Sequence, residues 1–205
     1  LSLDLDGYLS GMDLGRERQV MCYPRYPYGC NMSVKREIAE RIDGFSTRLG
    51  RKKASLVSNE EKHFFYRVHE MGGRVVYTPA ALVHHVVPAT RLSQKFFLSR
   101  GYAQGISNIL FQIETDRIPH VFLWHLRQVA VGMKLLGRAV VGAAICCLSG
   151  CDRAARFSRR VRIMYSLGYI IGAAKGAGRT MWTPKRQSNK RTEMTGAFVQ
   201  RDIQR

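Results

Sequence analysis

The sequence predicts an α/β region followed by a helical segment that associates with a membrane. Helix-like and strand-like patterns alternate over residues 34–115, whereas two long apolar stretches, residues 129–148 and 161–178, dominate the part beyond. A hydrophobic fraction of 45% in a chain of 205 residues is enough for one substantial core. The predicted parts are residues 1–115, residues 116–182 and a polar, disordered tail at residues 183–205.

The N-terminal part predicts a loop and then a helix. Turn residues, short apolar pieces and prolines fill the first 28 residues and discourage strand pairing. The segment "VKREIAERIDGF" places Val34, Ile38 and Ile42 at four-residue spacing, which is typical of one face of a helix. A glycine follows its end, as expected after a helix.

The middle of the chain predicts two further helices and two extended segments. One helix is predicted to begin at Ser58, with Phe64, Val68 and Met71 on one face and a pair of glycines beyond its end. "RVVYTP" predicts a short strand and "ALVHHVVP" a second extended segment, each closed by a proline. A helix over residues 91–108 follows.

The charge predicts an anionic partner. Thirty-three Lys and Arg against fifteen Asp and Glu give a formal net charge of +18. Phosphates of a small molecule, a nucleic acid or a membrane surface would each fit this charge. The five cysteines form no Cys-x-x-Cys pair, so neither a zinc site nor a disulfide framework is predicted.

Glu60 and Glu61 allow two interpretations. "Ser58-Asn59-Glu60-Glu61" matches a capping box, in which Ser58 bonds a helical amide and Glu61 reaches back to the amide of Ser58. Alternatively, one carboxylate acts as a general base that accepts a proton from a substrate hydroxyl. The local pattern fits both.

Neighbouring motifs favour the second interpretation. "YPYGCNMSVKREIAERIDGFSTRLGR" and "NEEKHFFYRVHEMGGRVVYTPAALVHHVVPATR" resemble the C-terminal half of the catalytic domain of family-2 glycosyltransferases. The resemblance covers residues 20–108, about half of the chain. Its elements are Gly-x-Asn-Met, Arg-Glu, Gly-Phe, a paired acid, Tyr-Arg, Gly-Gly, Tyr-x-Pro-x-Ala and a final His. In this sequence they are Gly29, Asn31, Met32, Arg36, Glu37, Gly44, Phe45, Glu60, Glu61, Tyr66, Arg67, Gly72, Gly73, Tyr77, Pro79, Ala81 and His85.

The resemblance implies an α/β fold of the GT-A (nucleotide-diphospho-sugar transferase-like) type and an inverting sugar transfer. The donor would be a nucleotide sugar and the acceptor a glycan or glycolipid. Glu61, paired with Glu60, corresponds to the catalytic base, although the family usually has Asp there. The residue that corresponds to the family's final His is His85, a ligand for Mg²⁺ or Mn²⁺ or a contact to the diphosphate.

The resemblance also implies substrate-binding residues. Gly29 and Asn31 would contact the acceptor or sugar, whereas Arg91 and Arg100 would offset the charge of the leaving diphosphate. A solvated basic face is the alternative interpretation of these two arginines. "SQKFFLSR" lacks the Gln-x-x-Arg-Trp of processive members, which implies single addition.

The nucleotide-binding half of such a domain is expected to lie outside this chain. "Asp4-x-Asp6" looks like the family's metal-binding motif, but too few residues separate it from the Gly29 loop. The divalent metal would therefore be bound mainly by residues absent from these 205, and the chain alone is expected to be inactive.

The C-terminal part predicts attachment to a membrane surface. Residues 117–179 contain eleven basic residues and one acid, and the stretch at 129–148 is long enough to cross a bilayer as a helix. A hairpin through the membrane would translocate the basic "CDRAARFSRR", so in-plane attachment to the anionic cytoplasmic face is preferred to an integral arrangement. The alternative to membrane attachment is a helical accessory lobe packed on the enzyme or on another copy of it. The alternatives to the glycosyltransferase function are a non-enzymatic basic nucleic-acid-binding protein and a catalytically dead membrane scaffold. Nucleic acid is not the expected partner, because no aromatic platform accompanies the basic residues.

Overall fold

The protein is mostly helical, with one small sheet. The computed structural model describes residues 3–51, 55–116, 118 and 120–180, so the predicted tail at residues 183–205 lies outside the described residues. Two short 3₁₀ helices cover Leu3–Leu9 and Ala89–Leu92. The strands are β1 (Gln19–Met21) and β2 (Val75–Tyr77). The α-helices are α1 (Arg36–Arg41), α2 (Glu60–Glu70), α3 (Gln94–Thr115), α4 (Val121–Leu148) and α5 (Arg153–Thr180).

The sheet joins the N-terminal segment to the predicted strand. β1 pairs with β2 in antiparallel register, with Gln19 opposite Tyr77 and Met21 opposite Val75. The strand prediction for "RVVYTP" is therefore confirmed, whereas the prediction of a loop for the first 28 residues is wrong at Leu3–Leu9 and Gln19–Met21. Three residues are too few to show a period of two in the sequence, and the hydrogen bonds that define β1 come from a distant segment.

The second extended segment does not form a strand. "ALVHHVVP" has no ladder in the described part of the chain, and Leu82 and Val86 are 72% and 84% exposed. An apolar run becomes a strand when an edge with free backbone groups lies beside it. No described strand pairs with this run, so the prediction is wrong there.

α2 forms the centre of the N-terminal core. Phe64, Phe65 and Val68 are buried together with Ile42, which follows α1. The predicted apolar face is confirmed at Phe64 and Val68, whereas Met71 follows the helix and is 37% exposed. α1 is shorter than the predicted helix, which began at Val34 and ended before Gly44. It ends in a turn in which the N–H of Gly44 donates to the carbonyl of Ala39.

Among the three long helices, α5 packs against both α3 and α4. Glycines allow α3 and α5 to approach closely: a side chain at Gly105 or Gly168 would meet backbone atoms of the facing helix. Gly101 and Gly105 are four residues apart on α3, as are Gly168 and Gly172 on α5. This small-residue spacing is typical of helices whose backbones touch.

α4 is the one helix in the described part of the chain that is long and apolar enough to cross a membrane. Its 28 residues span about 42 Å at 1.5 Å per residue, more than the hydrocarbon core of a bilayer. Large apolar side chains are exposed along it, including Phe122, Leu126, Met133 and Leu148. These properties are consistent with membrane association.

Candidate active site

The turn that precedes α2 does not form the predicted capping box. The hydroxyl of Ser58 accepts a hydrogen bond from Nη2 of Arg100 at 2.9 Å, and the Ser58 N–H donates to Oγ of Ser107 at 3.0 Å. The helix begins at Glu60, and its N-cap is Asn59, whose side chain makes no capping bond. The capping-box interpretation is wrong because bonds to α3 occupy both groups of Ser58 that a capping box needs.

Glu61 lies directly against the loop that contains Gly29. A Cβ atom on Gly29 would be 2.6 Å from Oε1 of Glu61, so a larger residue cannot occupy this position without moving the carboxylate. Gly29 is exposed, and Glu61 is half-buried. The structure therefore brings together two residues that the sequence analysis assigned to one site.

Glu60 lies against a second loop. Gly50 has φ +93°, and a Cβ atom there would be 3.2 Å from the carboxyl carbon of Glu60. Oε2 of Glu60 is buried and has no hydrogen-bond partner among the described residues. Burial, and to a smaller extent the charge of Glu61, raises the pKa of Glu60 despite its hydrogen bond to backbone and the nearby Arg51 and Arg100.

We predict that Glu60→Gln removes a pH-dependent loss of stability. A carboxyl whose pKa is raised by folding keeps its proton to a higher pH in the folded state, so the free energy of unfolding falls as pH rises above the unfolded value of 4.5. The variant should become more stable relative to the parent as pH increases from 4.5 to 7. Urea unfolding of both proteins across this range measures the difference.

Glu70→Gln is the control for this change, because Glu70 is the exposed last residue of the same helix. The difference in free energy of unfolding between Glu70→Gln and the parent should not change with pH as that of Glu60→Gln does. A constant difference between Glu60→Gln and the parent from pH 4.5 to 7 would contradict the prediction.

Arg100 is turned into the protein. It is 8% exposed, donates to the carbonyl of Leu56 at 3.1 Å and to Ser58, and lies 5.5 Å from the centre of the Tyr8 ring. Arg91 lies half-buried in the 3₁₀ helix Ala89–Leu92. Arg100 therefore supports the turn that precedes the two glutamates.

Asn31 connects the Gly29 loop to the segment that contains His85. Its amide nitrogen donates to the carbonyl of Ala81 at 2.6 Å. His84 and His85 are exposed. Within the described ranges, no three His, Cys, Asp or Glu side chains come together as a metal site requires. The described residues therefore do not form a complete site for Mg²⁺ or Mn²⁺ by themselves.

Two groups of residues at this site were not predicted from the sequence. Tyr26 and Tyr28 lie in contact, and burial, with smaller contributions from Tyr28 and Glu61, raises the pKa of Tyr26 to about 12. The amides of Gln104 and Asn108 on α3 bond to Asn59. The tyrosine cluster "CYPRYPYG" was a usable signal for the first group, since closely spaced aromatic residues favour a packed loop.

An open cavity lies on a neighbouring face of α2. Its volume is about 350 Å³, and its lining includes Tyr23, Lys62, Tyr66 and Phe111 but not Glu61. The ammonium group of Lys62 lies 4.3 Å from the centre of the Phe111 ring. The acids and this cavity are therefore separate features of the same helix.

Comparison with known proteins finds one informative similarity. The chain is 33% identical over 84 residues to a protein of Haloferax volcanii named glucosyl-dolichyl phosphate glucuronosyltransferase. The matched segment is 40% of this chain, and the chain spans about a quarter (27%) of the length of that relative. No protein-family model matches the chain, and no solved structure matches it. The similarity points to a glycosyltransferase.

Proposed function

We propose that this chain is the acceptor-side part of an inverting glycosyltransferase of the GT-A type. The observation that supports it best is the contact between Glu61 and the Gly29 loop, which places a carboxylate beside an exposed loop. The similarity to a glucuronosyltransferase supports sugar transfer in general. Most of the residues that bind a nucleotide-sugar donor would lie in a further part of the intact protein.

Glu61 would act as the general base. Its carboxylate takes the proton of an acceptor hydroxyl while that oxygen forms a bond to the anomeric carbon of the donor. The bond from this carbon to the nucleotide diphosphate breaks, and the diphosphate leaves from the opposite face, so the configuration inverts. The position of Glu61 in the first turn of α2 suits a carboxylate electrostatically, because the N-terminal end of a helix is the positive end of its dipole.

The other predicted residues take supporting roles in this proposal. The backbone at Gly29 and the amide of Asn31 would contact the acceptor, and Glu60 would shape the loop at Gly50 beside the base. Arg91 would contact the diphosphate. Because Arg100 is buried under Ser58, its proposed role is to hold the acid-bearing turn. A divalent ion would need ligands from outside the described residues in addition to His85.

The proposed acceptor is a lipid-linked sugar at the cytoplasmic face of a membrane. The name of the Haloferax volcanii relative includes a dolichyl phosphate. α4 has an exposed apolar surface. The helix also carries Arg127, Lys134 and Arg138 at spacings of seven and four, which places these basic residues along one side of it. Such a helix fits in-plane attachment to an anionic leaflet.

A transfer assay tests this function. Full-length protein in anionic vesicles is mixed with a panel of labelled nucleotide sugars and a polyisoprenyl-phosphate-linked sugar. We expect label in the lipid fraction, with the configuration at the anomeric carbon inverted, as NMR of the product would show. Correctly folded, vesicle-bound protein that transfers no sugar from any donor would contradict the proposal and favour a scaffold without catalytic activity.

A further inference from the structure

The two residues before Glu60 are fastened to α3 by side-chain hydrogen bonds. Nδ2 of Asn59 donates to Oδ1 of Asn108 at 2.9 Å, and Oδ1 of Asn59 accepts from Nε2 of Gln104 at 2.9 Å. Asn59 is 3% exposed. Both groups of its amide are therefore paired in a protein interior, where such bonds are costly to break.

The backbone of Asn59 sets the direction in which α2 begins. Its φ of 84° is in the left-handed region, which Asn tolerates better than most residues. Its carbonyl accepts from the N–H of His63 at 2.9 Å and thereby closes the first turn of the helix. The side-chain amide of Asn59 is thus bonded to α3 and its backbone carbonyl to α2. Loss of the bonds to α3 would therefore allow the turn that bears Glu61 to rotate.

Asn108 extends this connection to α5. Its Nδ2 donates to the hydroxyl of Tyr165 at 2.7 Å, while its Oδ1 accepts from Asn59 and, at 3.2 Å, from Gln104. The side chains of Gln104 and Asn108 are thus fixed by several partners, which limits their motion.

We propose that Gln104 and Asn108 are positioning residues for Glu61 and act through the amide of Asn59. This inference rests on the proposed function, in which Glu61 is the base. A base must lie within hydrogen-bond reach of the hydroxyl, so a shift of about 1 Å can cost on the order of 100-fold in rate. Asn59 has Glu61 two residues beyond it, and the Gly29 loop leaves little space for the carboxylate to adjust.

The test is kinetic and uses the full-length protein, with rates normalised to folded protein. Gln104→Met keeps the length of the side chain but cannot donate to Asn59. We expect kcat to fall roughly 10- to 100-fold while KM for the donor stays unchanged. Gln112→Met is the matched control on the same helix, because Gln112 bonds to Tyr169 and not to Asn59.

A second pair of variants examines Asn108. Asn108→Asp can still accept from Nδ2 of Asn59 and can accept from the hydroxyl of Tyr165, so it should keep most of the activity. Asn108→Leu loses both bonds and should resemble Gln104→Met. Equal activity of Asn108→Asp and Asn108→Leu would overturn the inference.

A double-mutant cycle separates positioning from a general structural role. If Gln104 acts through Glu61, Gln104→Met should add no further loss in a Glu61→Gln background. An equal loss of kcat in both backgrounds, or no loss in the single variant, would overturn the inference. Full activity of Glu61→Gln alone would instead contradict the proposed base, so the two failures are distinguishable.

Discussion

Replacement of Glu61 by glutamine is expected to lower the rate of sugar transfer by about 10²- to 10⁴-fold, the usual contribution of a general base. Glutamine has nearly the same shape, so it can lie against Gly29 as the glutamate does. Its amide cannot accept the proton of the acceptor hydroxyl at neutral pH. Initial rates of transfer by full-length protein in vesicles, together with circular dichroism of the same samples, would measure activity and folding separately.

Glu70→Gln provides the matched control for loss of charge. It makes the same chemical change at the exposed C-terminal end of the same helix, and its transfer rate should equal that of the parent. Glu61→Asp is a second comparison, since it keeps the carboxylate on an arm that is one carbon shorter. We expect its rate to lie between those of the parent and Glu61→Gln. Normal transfer by a destabilised Glu61→Gln would assign the residue a structural role only.

Elements with a strong local pattern were predictable from the sequence. Phe64 and Val68 share a face of α2 because apolar residues four apart in a helix point the same way, and both are buried. The two apolar stretches at residues 129–148 and 161–178 correctly indicated α4 and α5. Both helices extend further toward the N-terminus, to Val121 and Arg153, because the polar residues interspersed there do not interrupt a helix.

Elements that depend on distant partners were not predictable. Ser58 has the sequence context of an N-cap, yet its hydroxyl bonds to Arg100 and its N–H to Ser107, 42 and 49 residues along the chain. β1 exists through its pairing with β2. Conversely, the apolar run at residues 81–88 lacks a paired strand in the described part of the chain. In each case a tertiary hydrogen bond, or its absence, decided the outcome.

The candidate site shows the same division. The resemblance assigned Gly29 and Glu61 to one site, and they lie in contact. The bonds from Gln104 and Asn108 to Asn59 escaped detection because amides at separations of 45 and 49 residues leave no periodic trace. Arg100, Gln104 and Asn108 follow one another at four-residue spacing, which places them on one face of α3. This spacing was the available sequence signal for the shared polar face.

Gly168→Ala is expected to cause the largest loss of stability. A Cβ atom there would overlap the carbonyl oxygen of Tyr102 and come 2.7 Å from its carbonyl carbon. Both atoms belong to the backbone of α3, so no side-chain rotation can relieve the contact. The helices must separate, and we expect a loss of about 3 kcal/mol or more, at the upper end of overpacking effects. Thermal unfolding in mild detergent would measure it.

Gly137→Ala tests whether contact, and not helix propensity, causes this loss. Gly137 is also inside a helix, but apart from its chain neighbours and the backbone of its own helix no atom lies within 4 Å of its would-be Cβ atom. Alanine should therefore stabilise α4 by up to about 1 kcal/mol, the usual advantage over glycine in a helix. The same substitution thus has opposite expected signs at the two positions. A Gly168→Ala protein as stable as the parent would contradict the close approach of α3 and α5. It would also contradict the bond between Asn108 and Tyr165, which crosses the same interface.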